Sequence, residues 1–127
     1  MEEEFVKYTE ALALKELGFD EPCFGFHSKI HGLIMVKTSG SSSLYKDAGE
    51  CLSPTFSQAF RWLRDKYNIE VAVACFYSKR LNIPYEERQY HCHIIRDGVT
   101  SKGPKYKTYE EAELACLKKL IEIVKQK

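Results

Sequence analysis

The run Ser53-Pro54-Thr55-Phe56-Ser57-Gln58-Ala59-Phe60-Arg61-Trp62-Leu63-Arg64-Asp65-Lys66-Tyr67-Asn68-Ile69 carries a half-buried helix together with its start and its exit. Phe56, Ala59, Phe60, Leu63 and Tyr67 recur at i, i+3, i+4 spacing, the stripe a helix buries against a core. Ser53 or Thr55 supplies the N-cap, with Pro54 early in the first turn. At about 100° per residue Trp62 falls on the shoulder of the stripe, with Arg61 and Gln58 further toward solvent. A flat ring beside the guanidinium groups of Arg61 and Arg64 has the chemistry to stack a base and hold a phosphate. The same placement also serves an ordinary packing residue, and both readings stay open.

Downstream, Asn68 turns the chain into Ile69 to Tyr77, a β-branched and aromatic run that reads as a buried strand. A long connection, Ser78 to Glu87, leads to a second strand over Arg88 to Arg96. Asp97-Gly98 is a tight-turn dipeptide, and a short edge segment near Val99 to Lys102 completes the sheet. Thr108-Tyr109-Glu110-Glu111 is a capping box that opens a third helix running toward Val124.

Upstream, a first helix is predicted over residues 9–18, with Thr9 as N-cap and Gly18 in the C′ place. Cys23 to Ser28 and Leu33 to Lys37 read as a hairpin joined around Lys29 to Gly32. A polar loop then runs from Thr38 to Ser53. The order αββαββα predicts one α+β domain over residues 1–127, with helices packed on an antiparallel sheet.

Composition narrows the function classes. With 127 residues the chain fits one domain, and 44% hydrophobic content argues against disorder. A net charge of +1 speaks against a dedicated nucleic-acid binder, so nucleic acid is not an expected partner. The basic runs Ser78-Lys79-Arg80 and Lys102 to Lys107 read as solvated loops. Five cysteines without a C-x-x-C pair indicate free thiols in a reducing compartment. The acidic start Met1-Glu2-Glu3-Glu4 is unlike a secretory leader, and no apolar run reaches the roughly 18 residues of a membrane span. A cytoplasmic protein away from membranes is expected.

On the last helix, Ala112, Cys116, Leu117, Leu120, Ile121, Ile123 and Val124 cover more than half of the circumference. One sheet surface would not bury so wide an arc, which predicts a homo-oligomer formed through this helix.

The chemistry-bearing residues give no catalytic signature. His91 and His93 share one side of a strand, with His27 and His31 near the first hairpin. Zinc would need further ligands at diagnostic spacing, so neither metal nor cofactor is expected. Ser39-Gly40-Ser41 resembles a phosphate loop in composition alone, lacking the lysine and helix at fixed spacing. Cysteines and histidines are present without the local signature of a nucleophile, so a non-enzyme is expected. Glu113 sits within the apolar arc of the last helix, either paired at the rim or placed to accept hydrogen bonds from ligand hydroxyls. Aromatic and basic residues interleave around both hairpins, and those facing outward would form a stacking platform. The candidate ligand-binding set is Trp62, Arg61, Arg64, His27, Tyr90, His91 and Glu113.

Several blocks together resemble a family of small proteins from phages and prophages of gut Bacteroides-type bacteria. They are Tyr8 with the helix that follows, Lys15 to Cys23, Pro54-Thr55 with Trp62-Leu63-Arg64 and Asn68-Ile69, and Thr108 to Ala112. They span about half of the chain and omit residues 38–52 and 78–88. The resemblance implies a phage accessory protein acting in the host cytoplasm. It implies a sponge that sequesters a small nucleotide immune signal, an ADP-ribose derivative or a cyclic dinucleotide. A protein–protein adaptor or inhibitor of a host enzyme is the alternative.

Overall fold

Three helix ends show how local sequence sets this backbone. The computed structural model describes residues 4–21, 23–28, 32–40 and 51–126. Helix α1, Tyr8–Glu16, stops in a Schellman motif at Gly18, whose φ is 101°. Gly18 N–H donates to Lys15 O at 3.0 Å and Phe19 N–H to Leu14 O at 2.9 Å, while Phe19 and Leu14 bury their side chains together at the helix end. Helix α2, Phe56–Tyr67, begins where Thr55 Oγ1 accepts from Gln58 N at 3.2 Å, which settles the N-cap in favour of Thr55. Helix α3, Tyr109–Lys125, begins at Thr108, whose Oγ1 accepts from Glu111 N at 3.1 Å and donates to Glu111 Oε1 at 3.0 Å.

The strands are β1, Cys23–Ser28; β2, Gly32–Gly40; β3, Cys51–Ser53; β4, Glu70–Phe76; β5, Gln89–Arg96; and β6, Val99–Tyr106. The order α1-β1-β2-β3-α2-β4-β5-β6-α3 is α+β, with all strand pairing antiparallel. Two strands exceed the sequence reading. β3 lies at the end of the stretch read as loop, and β6 extends the short edge segment to eight residues. The strands form two three-stranded sheets, β2-β1-β3 and β4-β5-β6, where one sheet was expected.

Two compact units make up the chain, Met1–Trp62 and Leu63–Lys127, with the boundary inside α2. In the first unit, the segment before α1 pairs beside β3. Phe5 bridges Thr55, and Val6 N–H donates to Pro54 O at 2.8 Å. Val6, Leu14, Phe19, Cys23 and Leu52 supply its core.

In the second unit, α3 packs on the sheet across β5, β4 and β6. β5 and β6 are joined by Asp97-Gly98 with φ of 54° and 77°, the two left-handed residues of a tight hairpin closed by Arg96 opposite Val99. The connection after β4 folds on itself, with Ser78 and Ile83 exchanging backbone hydrogen bonds at 2.9 and 2.8 Å around Lys79-Arg80-Leu81-Asn82. Pro104 is accommodated because β6 is an edge strand with a register shift opposite His91 to His93.

The apolar arc of α3 is buried within the single chain. Leu117 and Leu120 are 0% exposed, and Ile121 and Val124 are 6% and 5% exposed. Six of the seven arc residues are thus covered within the chain and Ile123 is half-buried, so the arc by itself does not call for a partner subunit. Among the described residues, no helix is long and apolar enough to cross a membrane.

Candidate functional site

Side chains on a strand alternate between faces, and two contacts fix which face of β5 meets α3. Tyr90 packs edge-on against Tyr109 of α3 at 5.9 Å between ring centroids, and the thiols of Cys92 and Cys116 are hydrogen-bonded. Tyr90, Cys92 and Ile94 thus lie on the helix side, and Gln89, His91, His93 and Ile95 on the other. Register extends that other face to both neighbours. Ala72, Ala74 and Phe76 of β4 stand opposite His93, His91 and Gln89, and Lys102 and Lys105 of β6 stand opposite His93 and His91. Ala72 is exposed, so this face is open to solvent.

The open face has a consistent chemistry. The His91 and His93 rings lie 4.5 Å apart at a 32° tilt. Lys105 Nζ stands 3.9 Å from the centroid of the Phe76 ring. His91 Nδ1 and His93 Nε2 have no hydrogen-bond partner within the protein. Partial burial pushes the His91 imidazole below its ordinary range, and His93, Lys102 and Lys105 add to the shift. The one carboxylate whose position in the ladder puts it on this face is Glu70, at its far end, and Glu70 lies 3.9 Å from Arg64. Two histidines between two lysines make a surface suited to an anion, although the unpartnered ring nitrogens are themselves enclosed.

Charge is divided in the same way. Residues 63–127 hold 13 Lys and Arg against 9 Asp and Glu, whereas residues 1–62 hold 6 against 9. The whole-chain value of +1 thus conceals a basic half and an acidic half.

The expected site residues fall into different settings. His27 is buried at 8% exposure, and its Nε2–H donates to Val6 O at 2.7 Å, the same carbonyl that accepts Ser53 Oγ at 2.6 Å. Its ring also meets Tyr8 edge-on at 5.7 Å, so this histidine ties the N-terminal segment to β1. Trp62 is half-buried, with its ring edge-on to Phe19 at 5.3 Å and 80°. Arg61 is exposed, 4.0 Å from Glu21.

Arg64 lies 3.7 Å from Asp65 and 3.9 Å from Glu70 in a polar cleft also lined by Asn68. Two carboxylates already occupy its field, which disfavours phosphate there. Glu113 is half-buried on α3, where burial first and Glu113 next push the Tyr109 phenol up. Tyr90 receives a hydrogen bond from Arg88 Nε at 2.9 Å. Tyr90 and His91, expected to line one pocket, therefore project from opposite faces of β5, the consequence of adjacency on a strand.

Lys102 and Lys105 are the residues the sequence reading assigned to a solvated loop. Their signal was present in the alternation His91, His93 followed by a tight turn, which folds the lysine run back beside the histidines.

The remaining groups are less suggestive. A cleft of about 450 Å³ near the end of the open face is lined by Ile83, Glu86, Glu87, Arg88, Gln89 and Lys107. The Arg88 guanidinium lies 4.1 Å over the Tyr85 ring and donates to Tyr85 O at 3.1 Å. Burial, with Glu21 and Asp20, pushes the Cys23 thiol up to about 12, and the hydrogen bond with Cys92 and burial push Cys116 up, so both stay protonated. Among the described residues, no group of three or more His, Cys, Asp or Glu is placed to hold a metal ion, and His31 lies outside those residues. No family model, curated protein or solved structure matches the chain.

Proposed function

We propose that the chain is a non-catalytic binding protein for a phosphate-bearing nucleotide ligand, held on the open face of β4-β5-β6. One observation carries this reading. His91, His93, Lys102, Lys105 and Phe76 converge on a single solvent-facing sheet surface whose one carboxylate is paired at its edge. Lysine supplies charge-assisted hydrogen bonds to phosphate oxygens, and the flat rings offer stacking surfaces. A ligand held this way undergoes no chemical change and is withdrawn from other receptors, the sponge role that the phage-family resemblance implies.

Calorimetric titration with ADP-ribose derivatives and cyclic dinucleotides, set against nucleosides lacking phosphate, tests the reading. Phosphate-bearing ligands should bind, nucleosides should not, and Lys102→Glu with Lys105→Glu should weaken binding at least tenfold, about 1.4 kcal/mol. Indifference to phosphate, or to the two lysines, would overturn it.

The adaptor reading has its own support. Tyr77, Leu81 and Tyr85 are 52%, 60% and 54% exposed around the connection after β4. A host enzyme recovered with the wild-type chain and lost with Leu81→Asp would favour that reading over the nucleotide one.

A further inference from the structure

We infer that the occupant of the open face is a single-stranded nucleic acid, which engages the sheet as an extended track. The inference rests on the nucleotide reading of that face and narrows its ligand class.

Shape argues first. Sites for small molecules are concave and enclose most of the ligand's surface. The face of β4-β5-β6 is a strand surface with exposed Ala72 at one side, and the cleft near its end is lined by Gln89 and Lys107 rather than by His91 and His93. A polymer loses nothing on a flat surface, because its affinity accumulates along the contact.

The arrangement of charge argues second. Lys102 and Lys107 stand on β6 and just past its end, at the edge of the sheet, while Lys105 between them sends its Nζ across the face to the Phe76 ring of β4. At about 3.3 Å per residue, five residues place the first and last roughly 16 Å apart. A single phosphate group would engage one or two of these cations and leave the remainder unused. A chain of successive phosphates that follows β6 and reaches over the face would meet all three.

A second row lies parallel to the first. His91 and His93 present rings on the central strand, and Phe76 on the far strand carries Lys105 Nζ over one face of its ring. Bases from a backbone on β6 would therefore turn inward over π surfaces, and stacking of this kind tolerates any sequence. Such contact requires unstacked bases, which favours single strands over duplexes. The opposite side of the sheet is closed by α3, which leaves the other face as the one a ligand can reach. The positive balance of residues 63–127 agrees, although the whole-chain charge conceals it.

Fluorescence anisotropy of the full chain with labelled thymidine oligonucleotides of 2, 6 and 12 residues tests the inference, with thymidine monophosphate and a 12-base-pair duplex as competitors. Affinity should rise with length, and the 12-mer should bind at least tenfold tighter than the monophosphate or the duplex. With three lysines neutralised, log K should fall with log salt at a slope of about −2, and Lys102→Ala should reduce that slope by about 0.7. Lys102, Lys105 and Lys107 are exposed, so circular dichroism melts of the variants should match wild type. Equal affinity for the monophosphate and the 12-mer would overturn the polymer and leave the nucleotide reading standing. Preference for the duplex, or binding that ignores the lysines, would also overturn it. Failure of every nucleotide and oligonucleotide to bind would remove both.

Discussion

Each half of the chain builds a three-stranded antiparallel sheet with a histidine on its central strand, and the two sheets use that histidine in opposite ways. In β2-β1-β3, His27 turns inward, is 8% exposed and donates to the Val6 carbonyl. In β4-β5-β6, His91 turns away from the covering helix, stacks on His93 and keeps an unpartnered ring nitrogen between lysines. Residue type and strand position are the same. What differs is whether a backbone carbonyl from elsewhere arrives to meet the ring. The first sheet receives the segment before α1 across its histidine, whereas the second has its helix on the other face. A histidine on a strand is thus tied down or left without a protein partner according to which face the chain covers.

The largest expected effect concerns the covered face of the second sheet. Leu120→Ala should destabilise the chain by about 2–5 kcal/mol in urea unfolding, because the side chain is fully buried on α3. The loss should be the same at micromolar and at a hundredfold higher concentration, since burial within one chain does not respond to mass action. A concentration-dependent loss would return the α3 arc to an intersubunit role.

The histidines can be exchanged next. His27→Ala should cost about 1–3 kcal/mol by removing a buried donor from Val6 O, whereas His91→Ala should stay within about 0.5 kcal/mol. Equal losses at both positions would erase the contrast between the sheets. Trp62→Ala belongs with the structural group. Its edge-on contact with Phe19 predicts a stability loss below the roughly 3–5 kcal/mol of a fully buried ring, with ligand affinity unchanged. Thr108→Ala should cost about 1 kcal/mol through the lost N-cap of α3, read from the same unfolding curves.

These elements also mark how far the sequence was legible. Thr108 with Glu111 and Asp97-Gly98 were readable because each acts over three or four residues, and Thr55 was one of two N-cap candidates; the structure puts hydrogen bonds or left-handed dihedrals at each. β3 was not readable. Cys51-Leu52-Ser53 is too short for a period, and only its pairing with β1 makes it a strand. β6 was hidden because lysines, Gly103 and Pro104 are the composition of a solvated loop, and an edge strand tolerates that composition. The candidate site was partly legible. His91 was named, but Tyr90 was joined to it against the alternation of a strand. Lys102 and Lys105 were discounted because a net charge near zero averages over two halves of opposite sign.

The smallest expected effect is one of pH. His91 titrates below its ordinary range in the folded chain and near 6.5 when unfolded. Between those values the unfolded chain holds more protons, so this group's contribution is complete above about pH 6.5 and is lost as pH falls through the window. Ala74 on β4 adds no charge, and burial first, then His93, Lys102 and Lys105, depress the ring. Melts of wild type and His91→Gln from pH 5 to 8 should diverge slightly below pH 6.5 and coincide above it. Binding of an anion should reverse the shift, so affinity should rise as pH falls toward 5.5.

The most direct test of the open face is a map of the amide resonances of the ¹⁵N-labelled chain during titration with a 12-residue thymidine oligonucleotide. The account predicts shifts concentrated at Ala72 to Phe76, Gln89 to Ile95 and Thr100 to Lys107, with His27 and its neighbours on β1 unmoved. Shifts centred on β1 to β3, or no shifts at saturating oligonucleotide, would contradict it.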